Sequence, residues 1–233
     1  MDGVGIRNII FSSTCATYGN VPKEKMPITE ETPQVPVSPY GSSKLMTERI
    51  IIDHVQAHAS FSAVILRYFN VIGADPLGRV GETPRPNLDS SYSRISQACF
   101  DVALGKRKHF TIAGVHHPTK DGTCVRDYIH VMDLVDAHIK AFAVFKPGTS
   151  TTLNVGTGTG YSVREFAQAC RAATRKNISV VEGPGRDGDA SAVYADPSKA
   201  KAVLGWRPKY TDLRVTLEAA WDWAFKHQQQ PQM

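Results

Sequence analysis

Hydrophobic residues divide the first half of the chain into short apolar runs and longer amphipathic segments. Residues 6–13 (IRNIIFSS) and 62–69 (SAVILRYF) are apolar runs without helical periodicity, which predicts buried parallel strands. Between them, residues 40–59 space their apolar side chains as a helix packed on a sheet would. Residues 93–104 predict another helix and residues 110–113 a short strand. Strands alternating with helices in this way predict an α/β fold with a parallel sheet.

The second half of the chain has a more mixed pattern. Residues 125–131 (VRDYIHV) alternate apolar with polar and predict a strand, with an amphipathic helix behind it over 133–145. Residues 151–155 predict a strand, and residues 162–165 (SVRE) have the form of a capping box that starts a helix reaching about Thr174. The remaining predicted elements are a strand at 179–182, a helix from 196 to about 205 and a final helix over 212–226.

Composition is that of an ordinary globular protein, with 42% hydrophobic and 21% charged residues in 233. No apolar run approaches the roughly 18 residues that span a bilayer, and the N-terminus lacks signal-peptide form, so we expect a cytoplasmic protein without membrane contact. The net charge of +5 comes from scattered residues, the densest cluster being 106–108 (KRK). A few arginines placed for an anionic small molecule explain this excess as well as nucleic acid would, and we expect no nucleic-acid partner.

The cysteines give no indication of a metal site. Cys15, Cys99, Cys124 and Cys170 are isolated and show no C-x-x-C spacing. We therefore expect reduced, mostly buried thiols and no zinc or other metal.

A tyrosine and a lysine stand four residues apart at the start of the first predicted helix. Tyr40 and Lys44 share one helix face, and Pro39 suits the first helical position because its missing amide would have no intrahelical partner. A lysine beside a tyrosine favours the phenolate, which makes Tyr40 a candidate general base. In a chain with 8 tyrosines such a pair arises by chance about as often as not, so alone it indicates little.

The glycine cluster at 156–160 is a second candidate site. It follows a strand and precedes a helix, as a phosphate-binding loop would, but its spacing is G-x-G-x-G. The dinucleotide fingerprint is G-x-G-x-x-G, followed by a strand that ends in an acidic ribose ligand. A tight strand-to-helix turn is therefore favoured over a phosphate loop.

Several motifs in order carry a family resemblance. Residues 11–19 (FSSTCATYG), the Tyr40/Lys44 pair and residues 66–73 (LRYFNVIG) together resemble the extended short-chain dehydrogenase/reductase superfamily, whose catalytic set is serine or threonine, tyrosine and lysine. Residues 121–131 (DGTCVRDYIHV) look like the substrate-domain signature of UDP-glucose/UDP-galactose 4-epimerases. Other segments are similar to plant-type UDP-arabinose (UDP-xylose) 4-epimerases, namely 14–19, 27–33 (PITEETP) and 81–86 (GETPRP). The resemblance extends from about residue 6 to residue 226.

The resemblance implies a partial Rossmann-like parallel sheet, without its first βαβ units, joined to a smaller mixed α/β substrate-binding domain. Residues 1–75 would be the C-terminal part of the NAD-binding domain. Residues 76–233 would mainly bind the UDP-sugar, with about 125–160 returning to the Rossmann domain.

The resemblance also implies an activity, that of an NAD-dependent UDP-sugar 4-epimerase, an isomerase. Such an enzyme inverts C4 of UDP-arabinose/UDP-xylose or UDP-galactose/UDP-glucose through a transient 4-keto sugar. Tyr40 matches the base, Lys44 the cation that favours its phenolate and binds ribose, and Thr14 the hydroxyl that bonds the reacting oxygen, although Thr14 can also simply cap its strand. The implied cofactor contacts are Ser12, Ser13, Tyr40, Lys44 and Tyr68, and the implied substrate contacts are Asn70, Asn87, Arg126, Arg186 and Asp189.

Physical arguments support part of the substrate set. Asn70 follows a predicted strand, and ligands of α/β sheets bind at the carboxyl ends of strands. Arg126 and Arg186 can each fork onto phosphate oxygens, although Arg126 can instead pair with Asp127 or another acid. For Asp189 it is the resemblance alone that implies a role, accepting from a ribose hydroxyl.

One departure from the family pattern limits these expectations. The family begins with a strand, a G-x-x-G-x-x-G turn and a helix that bind the NAD pyrophosphate, and this sequence has no such segment. We therefore expect an N-terminally truncated form whose strand at 6–13 has an uncovered edge. A non-catalytic nucleotide-sugar-binding fragment is the first alternative. A 4,6-dehydratase or reductase is the second, disfavoured because Cys15 and Ala16 stand where dehydratases carry an acid pair. The family often forms homodimers through the Tyr/Lys helix and a preceding helix that this sequence lacks, so a homodimer is an expectation for the full-length form. Whether the substrate is a hexose or a pentose stays open.

Overall fold

The computed structural model describes residues 2–83, 94–186 and 188–227 of the chain. Its strands are β1 (Asn8–Thr14), β2 (Ser62–Tyr68), β3 (Asn70–Ile72), β4 (Phe110–Ala113), β5 (Val125–His130), β6 (Thr149–Val155), β7 (Gly160–Ser162), β8 (Val180–Gly183) and β9 (Ala192–Val193). Its α-helices are α1 (Pro39–Ala57), α2 (Ile95–Ala103), α3 (Val131–Ala141), α4 (Val163–Thr174), α5 (Ser198–Leu204) and α6 (Leu213–Lys226). Short 3-10 turns occupy Asp2–Val4, Cys15–Thr17, Lys23–Lys25 and Phe142–Val144.

The first sheet is parallel and has the strand order β1-β2-β6. The central strand β2 is buried from Ser62 to Arg67, because helices cover both of its faces. Ala63 faces α1 and packs with Val55, whereas Val64 faces α3 and α5. The prediction of a buried parallel strand is thus confirmed for β2. Strand β1 is parallel as predicted, but as the edge strand it is buried only at Ser13 and Thr14.

A second, mixed sheet continues directly from the first, because β3 begins two residues after β2 ends. Strand β5 pairs in parallel with β3 and β9, and antiparallel with β7. Strands β4 and β8 form a separate parallel pair. The largest core cluster joins these strands to α2, α4 and α6, with Phe166, Leu217 and Trp221 at its centre. The mixed α/β character of the second half is therefore confirmed, whereas the residue limits of two domains stay a prediction.

Two helix starts agree with the sequence, at Pro39 and at the 162–165 capping box. Ser38 accepts a hydrogen bond from the Gly41 amide at the start of α1, with Pro39 as the first helical residue. The capping box of α4 has both bonds, Glu165 N to Ser162 Oγ at 3.0 Å and Ser162 N to Glu165 Oε2 at 2.9 Å. Helix α3 begins two residues earlier than predicted because His130 Nδ1 accepts from the Met132 amide at 3.0 Å.

The first sheet ends at β1 in the part of the chain that the structure describes. Strand β1 pairs with β2 along one side, and no described strand pairs with its other side, as the sequence predicts. The four cysteines are free thiols, three of them buried and Cys15 half-buried, which agrees with the expected reduced state. Over the same residues, no helix is both long and apolar enough to cross a membrane.

Candidate functional site

The carboxyl ends of β1 and β2 open into one cavity of about 480 Å³. Parallel strands present their carboxyl ends on the same side of the sheet, and this is where ligands of α/β folds bind. The cavity wall brings together seven of the residues selected from the sequence, which are Thr14, Tyr40, Tyr68, Asn70, Arg126, Arg186 and Asp189. Asn87 lies outside the described residues.

Tyr40 and Lys44 lie in the first two turns of α1, beside the end of β1. The Lys44 ammonium donates to the Ser12 carbonyl at 2.9 Å and lies 5.9 Å from the centroid of the Tyr40 ring. The Tyr40 side chain is 55% exposed, so its phenol is free to meet a ligand in the cavity. One turn further along α1, the Glu48 carboxylate is bonded to Arg67 rather than to Lys44.

Thr14 performs the strand-cap role that the sequence left open as an alternative. Its Oγ1 accepts from the Ala16 amide at 3.2 Å and thereby starts the 3-10 turn Cys15–Thr17. Because accepting leaves the hydroxyl hydrogen available, Thr14 can still donate to a ligand oxygen in the cavity. The cap and the proposed catalytic contact are compatible.

Ser12 and Ser13 point in opposite directions, as neighbouring strand residues do. Ser12 is exposed, and its Oγ lies 3.5 Å from Nε2 of His138 on α3. The Tyr68 ring is 5.8 Å from the His138 ring, and burial raises the pKa of Tyr68, opposed by a hydrogen bond with Ser12. Ser13 is instead fully buried and donates to Glu48, so its side chain does not reach the cavity.

A buried network below the site was missed by sequence reasoning. Arg67 donates to Glu48 from Nε at 3.0 Å and from Nη2 at 2.6 Å, and its Nη1 donates to the Tyr18 hydroxyl at 3.0 Å. Tyr18 in turn donates to Asn154 Oδ1 at 2.6 Å, and burial raises the pKa of Tyr18 to about 12. The only signal in the sequence was an arginine within an apolar strand, which requires a buried partner.

Arg126 pairs with an acid across the cavity wall. Its Nη2 forms an ion pair with Asp189 Oδ1, and its Nη1 donates to the Val125 carbonyl at 2.8 Å. The alternative that Arg126 pairs with an acid is therefore confirmed, but the acid is Asp189 rather than Asp127. Arg186 is exposed and lines the same cavity, so both guanidinium groups border the space that a ligand would occupy.

The hydrogen bonds of Asp127 show whether the glycine cluster at 156–160 is a phosphate-binding loop or a structural turn. Its buried carboxylate accepts from the amides of Thr157 at 2.9 Å, Gly158 at 3.0 Å and Ala195 at 3.2 Å. A side chain at Gly156 would come within 2.6 Å of Asp127 Oδ2. The amides that could have held a phosphate already hold this carboxylate, so the predicted structural turn is confirmed. Burial raises the pKa of Asp127, and its hydrogen bonds oppose that effect.

Two other cavities lie near this site. One of about 400 Å³ shares Cys124, Arg186 and Asp189 with it and extends towards Phe110 and Thr111. A larger one of about 770 Å³ lies beside β3 and residues 79–83. The charged groups of the larger cavity include Asp75 with Arg79 and Glu82 with Arg94, which satisfy one another. The cavity lined by Tyr40, Arg126 and Arg186, with Lys44 beside Tyr40, is therefore the stronger candidate for chemistry.

Comparison with known proteins agrees with this geometry. A family model described as GDP-mannose 4,6 dehydratase matches residues 4–216. UDP-arabinose 4-epimerase 1 of Arabidopsis thaliana is 52% identical over 223 residues, which are 96% of this chain and 52% of that protein. The chain thus spans about half the length of the curated relatives it matches.

Solved structures give the same result. The UDP-glucose 4-epimerase of Bifidobacterium longum, crystallised with NAD+ and UDP, aligns over 98% of this chain and 66% of its own, with a TM-score of 0.89 and 39% identity. Another UDP-glucose 4-epimerase structure aligns over 100% of this chain and 69% of its own, again with a TM-score of 0.89 and 39% identity. Although the family model is described by a dehydratase, these relatives are epimerases. The chain therefore belongs to the extended short-chain dehydrogenase/reductases, and among them to the UDP-sugar 4-epimerases.

Proposed function

We propose that this protein is an NAD-dependent UDP-sugar 4-epimerase, acting on UDP-arabinose/UDP-xylose or UDP-galactose/UDP-glucose. The observation that carries the proposal is that Thr14, Tyr40 and the neighbouring Lys44 lie with Arg126 and Arg186 at one cavity, whose wall includes all of them except Lys44. The first three supply proton chemistry and the last two supply charge for a diphosphate. UDP-arabinose comes first among the substrates, because the relative that shares 52% identity bears that name.

The residues present fit the nicotinamide end of the cofactor. Lys44 uses one of its three hydrogens on the Ser12 carbonyl, which leaves two for a ribose hydroxyl and for the Tyr40 oxygen. The amide turn at 156–158 is not available to the pyrophosphate end, because Asp127 already accepts from its amides. When bound, NAD would supply the hydride acceptor and donor for sugar C4.

Tyr40 carries out the proton transfer. As the phenolate, it takes the proton of the C4 hydroxyl while Thr14 donates a hydrogen bond to the same oxygen. The Lys44 ammonium stabilises the negative charge on Tyr40. When the 4-keto sugar is reduced on its other face, Tyr40 returns the proton to the C4 oxygen. The tyrosine is therefore unchanged over a full cycle.

Arg126 and Arg186 bind the diphosphate. Arg126 is held by the Asp189 carboxylate and the Val125 carbonyl, and its remaining N–H donors are free to meet phosphate oxygens. Arg186 and Asn70 add donors from the neighbouring walls. Anchoring the diphosphate in this way leaves the sugar free to turn over between the two half-reactions.

The test is a direct assay. The chain is incubated with NAD and either UDP-arabinose or UDP-galactose, and the C4 epimer is measured by chromatography. Tyr40→Phe removes the base and should lower kcat by at least about 100-fold. Tyr161→Phe, whose hydroxyl lies 3.5 Å from the Thr211 carbonyl, is the matched control and should keep full activity.

Melting temperatures separate epimerisation from the binding-only alternative. An epimerase should be stabilised by both UDP and NAD. Stabilisation by UDP alone, with no turnover of either sugar, would replace the proposal by a non-catalytic nucleotide-sugar binder.

A further inference from the structure

Three side chains with different metal-binding chemistry meet beside Arg126. A ring nitrogen of His117, the thiol of Cys124 and a carboxylate oxygen of Asp189 all lie within 4.8 Å of one another. The Cys124 sulfur is 3.8 Å from Asp189 Oδ2. Imidazole, thiolate and carboxylate are the protein ligands of zinc, and a three-ligand set leaves a fourth position for water or another ligand.

The backbone brings two of these ligands together without help from a metal. The His117 amide donates to the Gly122 carbonyl at 2.9 Å, which folds residues 117–122 into a turn. Gly122 has φ of +79°, and a side chain there would overlap the Val115 carbonyl, so the turn requires glycine. The Cys124 carbonyl accepts from the Val163 amide at 3.0 Å, which fixes Cys124 at the start of α4.

Asp189 is oriented from outside the cluster. Its Oδ1 is bonded to Arg126, while its Oδ2 faces the Cys124 sulfur. Outer hydrogen bonds of this kind orient the ligating carboxylates of metal sites. The carboxylate therefore presents its second oxygen to the cluster, where it accepts from the Cys124 thiol.

An ion can reach the cluster from two sides. Cys124 and Asp189 both line the cavity of about 400 Å³ and the cavity of about 480 Å³. A thiolate with an imidazole selects zinc and similar borderline metals over magnesium and calcium, which prefer oxygen ligands.

We propose that His117, Cys124 and Asp189 form a binding site for Zn²⁺ or a similar divalent cation, and that an ion there competes with the nucleotide for Asp189. Binding replaces the thiol hydrogen of Cys124 by a sulfur–metal bond and releases that proton to solvent. The competition rests on the proposed function, in which Asp189 holds Arg126 for the diphosphate, and on the ribose contact that the family resemblance implies for Asp189. The metal site itself depends on neither. Cysteine spacing did not predict this site, because its ligands come from three separate segments.

The test is a titration of the metal-free chain with Zn²⁺ against a chromophoric chelator, repeated with Co²⁺. We expect one equivalent to bind and Co²⁺ to show a thiolate charge-transfer band in the near ultraviolet. Cys124→Ser should remove that band, and Cys124→Ser or His117→Ala should each weaken Zn²⁺ binding by about tenfold or more. The controls are His116→Ala, an exposed neighbour outside the cluster, and Cys99→Ser, and both should keep the native affinity.

Two results would exclude the metal site. If no Zn²⁺ binds, or if its affinity is unchanged in both Cys124→Ser and His117→Ala, the site is excluded. Thermal melts without metal establish that the variants fold. His117 is only half-buried, so its replacement carries the test if Cys124→Ser unfolds.

A second arm tests the competition. UDP should displace Co²⁺ from the thiolate site, with pyrophosphate at the same concentration as the control for chelation in solution. By linkage, the metal must weaken UDP binding by the same factor. If UDP and the metal ion bind without affecting each other, the competition is excluded. A chain that binds zinc but not UDP would support the metal site and count against the proposed function.

Discussion

Arg67 shows how strongly a single buried residue depends on its partners. Its guanidinium and the Glu48 carboxylate are 5% and 1% exposed, and Ser13 and Gln34 also donate to that carboxylate. Although burial alone would lower it, the hydrogen bonds to Glu48 raise the pKa of Arg67. Two charges buried together are tolerated only while both are present.

Replacing one partner should therefore be strongly destabilising. We expect Arg67→Met to lower the free energy of unfolding by about 3–5 kcal/mol, because it leaves the Glu48 charge buried and unpaired. Urea unfolding measures the change. Arg214→Met is the control, because Arg214 is 57% exposed where it pairs with Glu218 and should lose less than about 1 kcal/mol. A double variant Glu48→Leu/Arg67→Met that is less stable than Arg67→Met alone would contradict this account.

His130 is a buried histidine that the fold holds neutral. Its Nδ1 accepts from the Met132 amide, so its hydrogen is on Nε2, for which the described residues offer no acceptor. Burial lowers the pKa of His130 from its ordinary value of about 6.5, and the Asp133 charge opposes the effect. The unfolded chain therefore takes up this proton at a higher pH than the folded chain does.

The sign of the pH dependence follows from this difference. The neutral His130 contributes full stability above about pH 6.5, and that stability is lost as the pH falls towards the lower folded pKa. We expect the urea midpoint of the native chain to fall more between pH 7.5 and 5.5 than that of His130→Asn, which keeps a capping oxygen for α3. His109→Asn replaces an exposed histidine and should behave as the native chain does. An equal pH response in His130→Asn would contradict the prediction.

The candidate site shows which residue roles can be predicted from local sequence. The positions of Thr14, Tyr40 and Lys44 at a strand end and a helix start were predictable, because such ends are marked by residue type in the sequence, whereas their catalytic roles stay a prediction. The resemblance implied a cofactor contact for Ser13, but its side chain meets Glu48 in the interior. That contact depends on a helix 35 residues away, which a local pattern does not contain.

At the scale of elements, the turn after β6 is specified by a distant carboxylate. The sequence predicted a tight turn from the glycine spacing, but it gave no reason for the turn to be stable. That reason is Asp127, which lies on β5 and accepts from three amides on two other segments. The strand β7 that follows was also missed, because Gly160–Ser162 has no apolar alternation and exists only by pairing with β5.

The close packing of Asp127 on this turn can be tested with one methyl group. A Cβ at Gly156 would lie 2.6 Å from Asp127 Oδ2 and 2.7 Å from the Ala195 Cβ, and no positive φ is involved. We expect Gly156→Ala to lower the free energy of unfolding by about 1–3 kcal/mol through overpacking. Gly3→Ala is the control because nothing lies within 4 Å of its Cβ. Equal midpoints for the two variants in urea unfolding would show that the turn has room to adjust.

At the scale of the whole molecule, the parallel sheet β1-β2-β6 was predictable from the sequence. The strand pairings of the second, mixed sheet were not. The predicted strands β1, β2 and β6 do form one parallel sheet, and the apolar run of β2 is its buried centre. The pairing of β5 with β3, β7 and β9 joins residues far apart in the chain. These pairings were outside what hydrophobic periodicity can specify, because it describes each element alone.

The surface of α1 bears on the predicted homodimer. Met46 and Ile50 lie one helical turn apart and are 65% and 69% exposed, so they form an apolar stripe beside the Tyr40/Lys44 turn. Burying such a stripe against its copy on a second chain removes apolar surface from water twice. We expect the chain to associate through this stripe.

Sedimentation equilibrium tests this association. The native chain should approach the mass of a dimer as concentration rises, and Met46→Glu/Ile50→Glu should stay a monomer because dimerisation would bury four carboxylates. Val203→Glu changes an exposed apolar residue on α5 and should leave the association unchanged. Association that persists in the α1 variant but is abolished by proline at Ile10 would instead assign it to the free edge of β1, where proline removes an amide donor. Edge pairing of that kind would give no defined dimer mass if chains continued to add, so the shape of the mass distribution distinguishes the two surfaces.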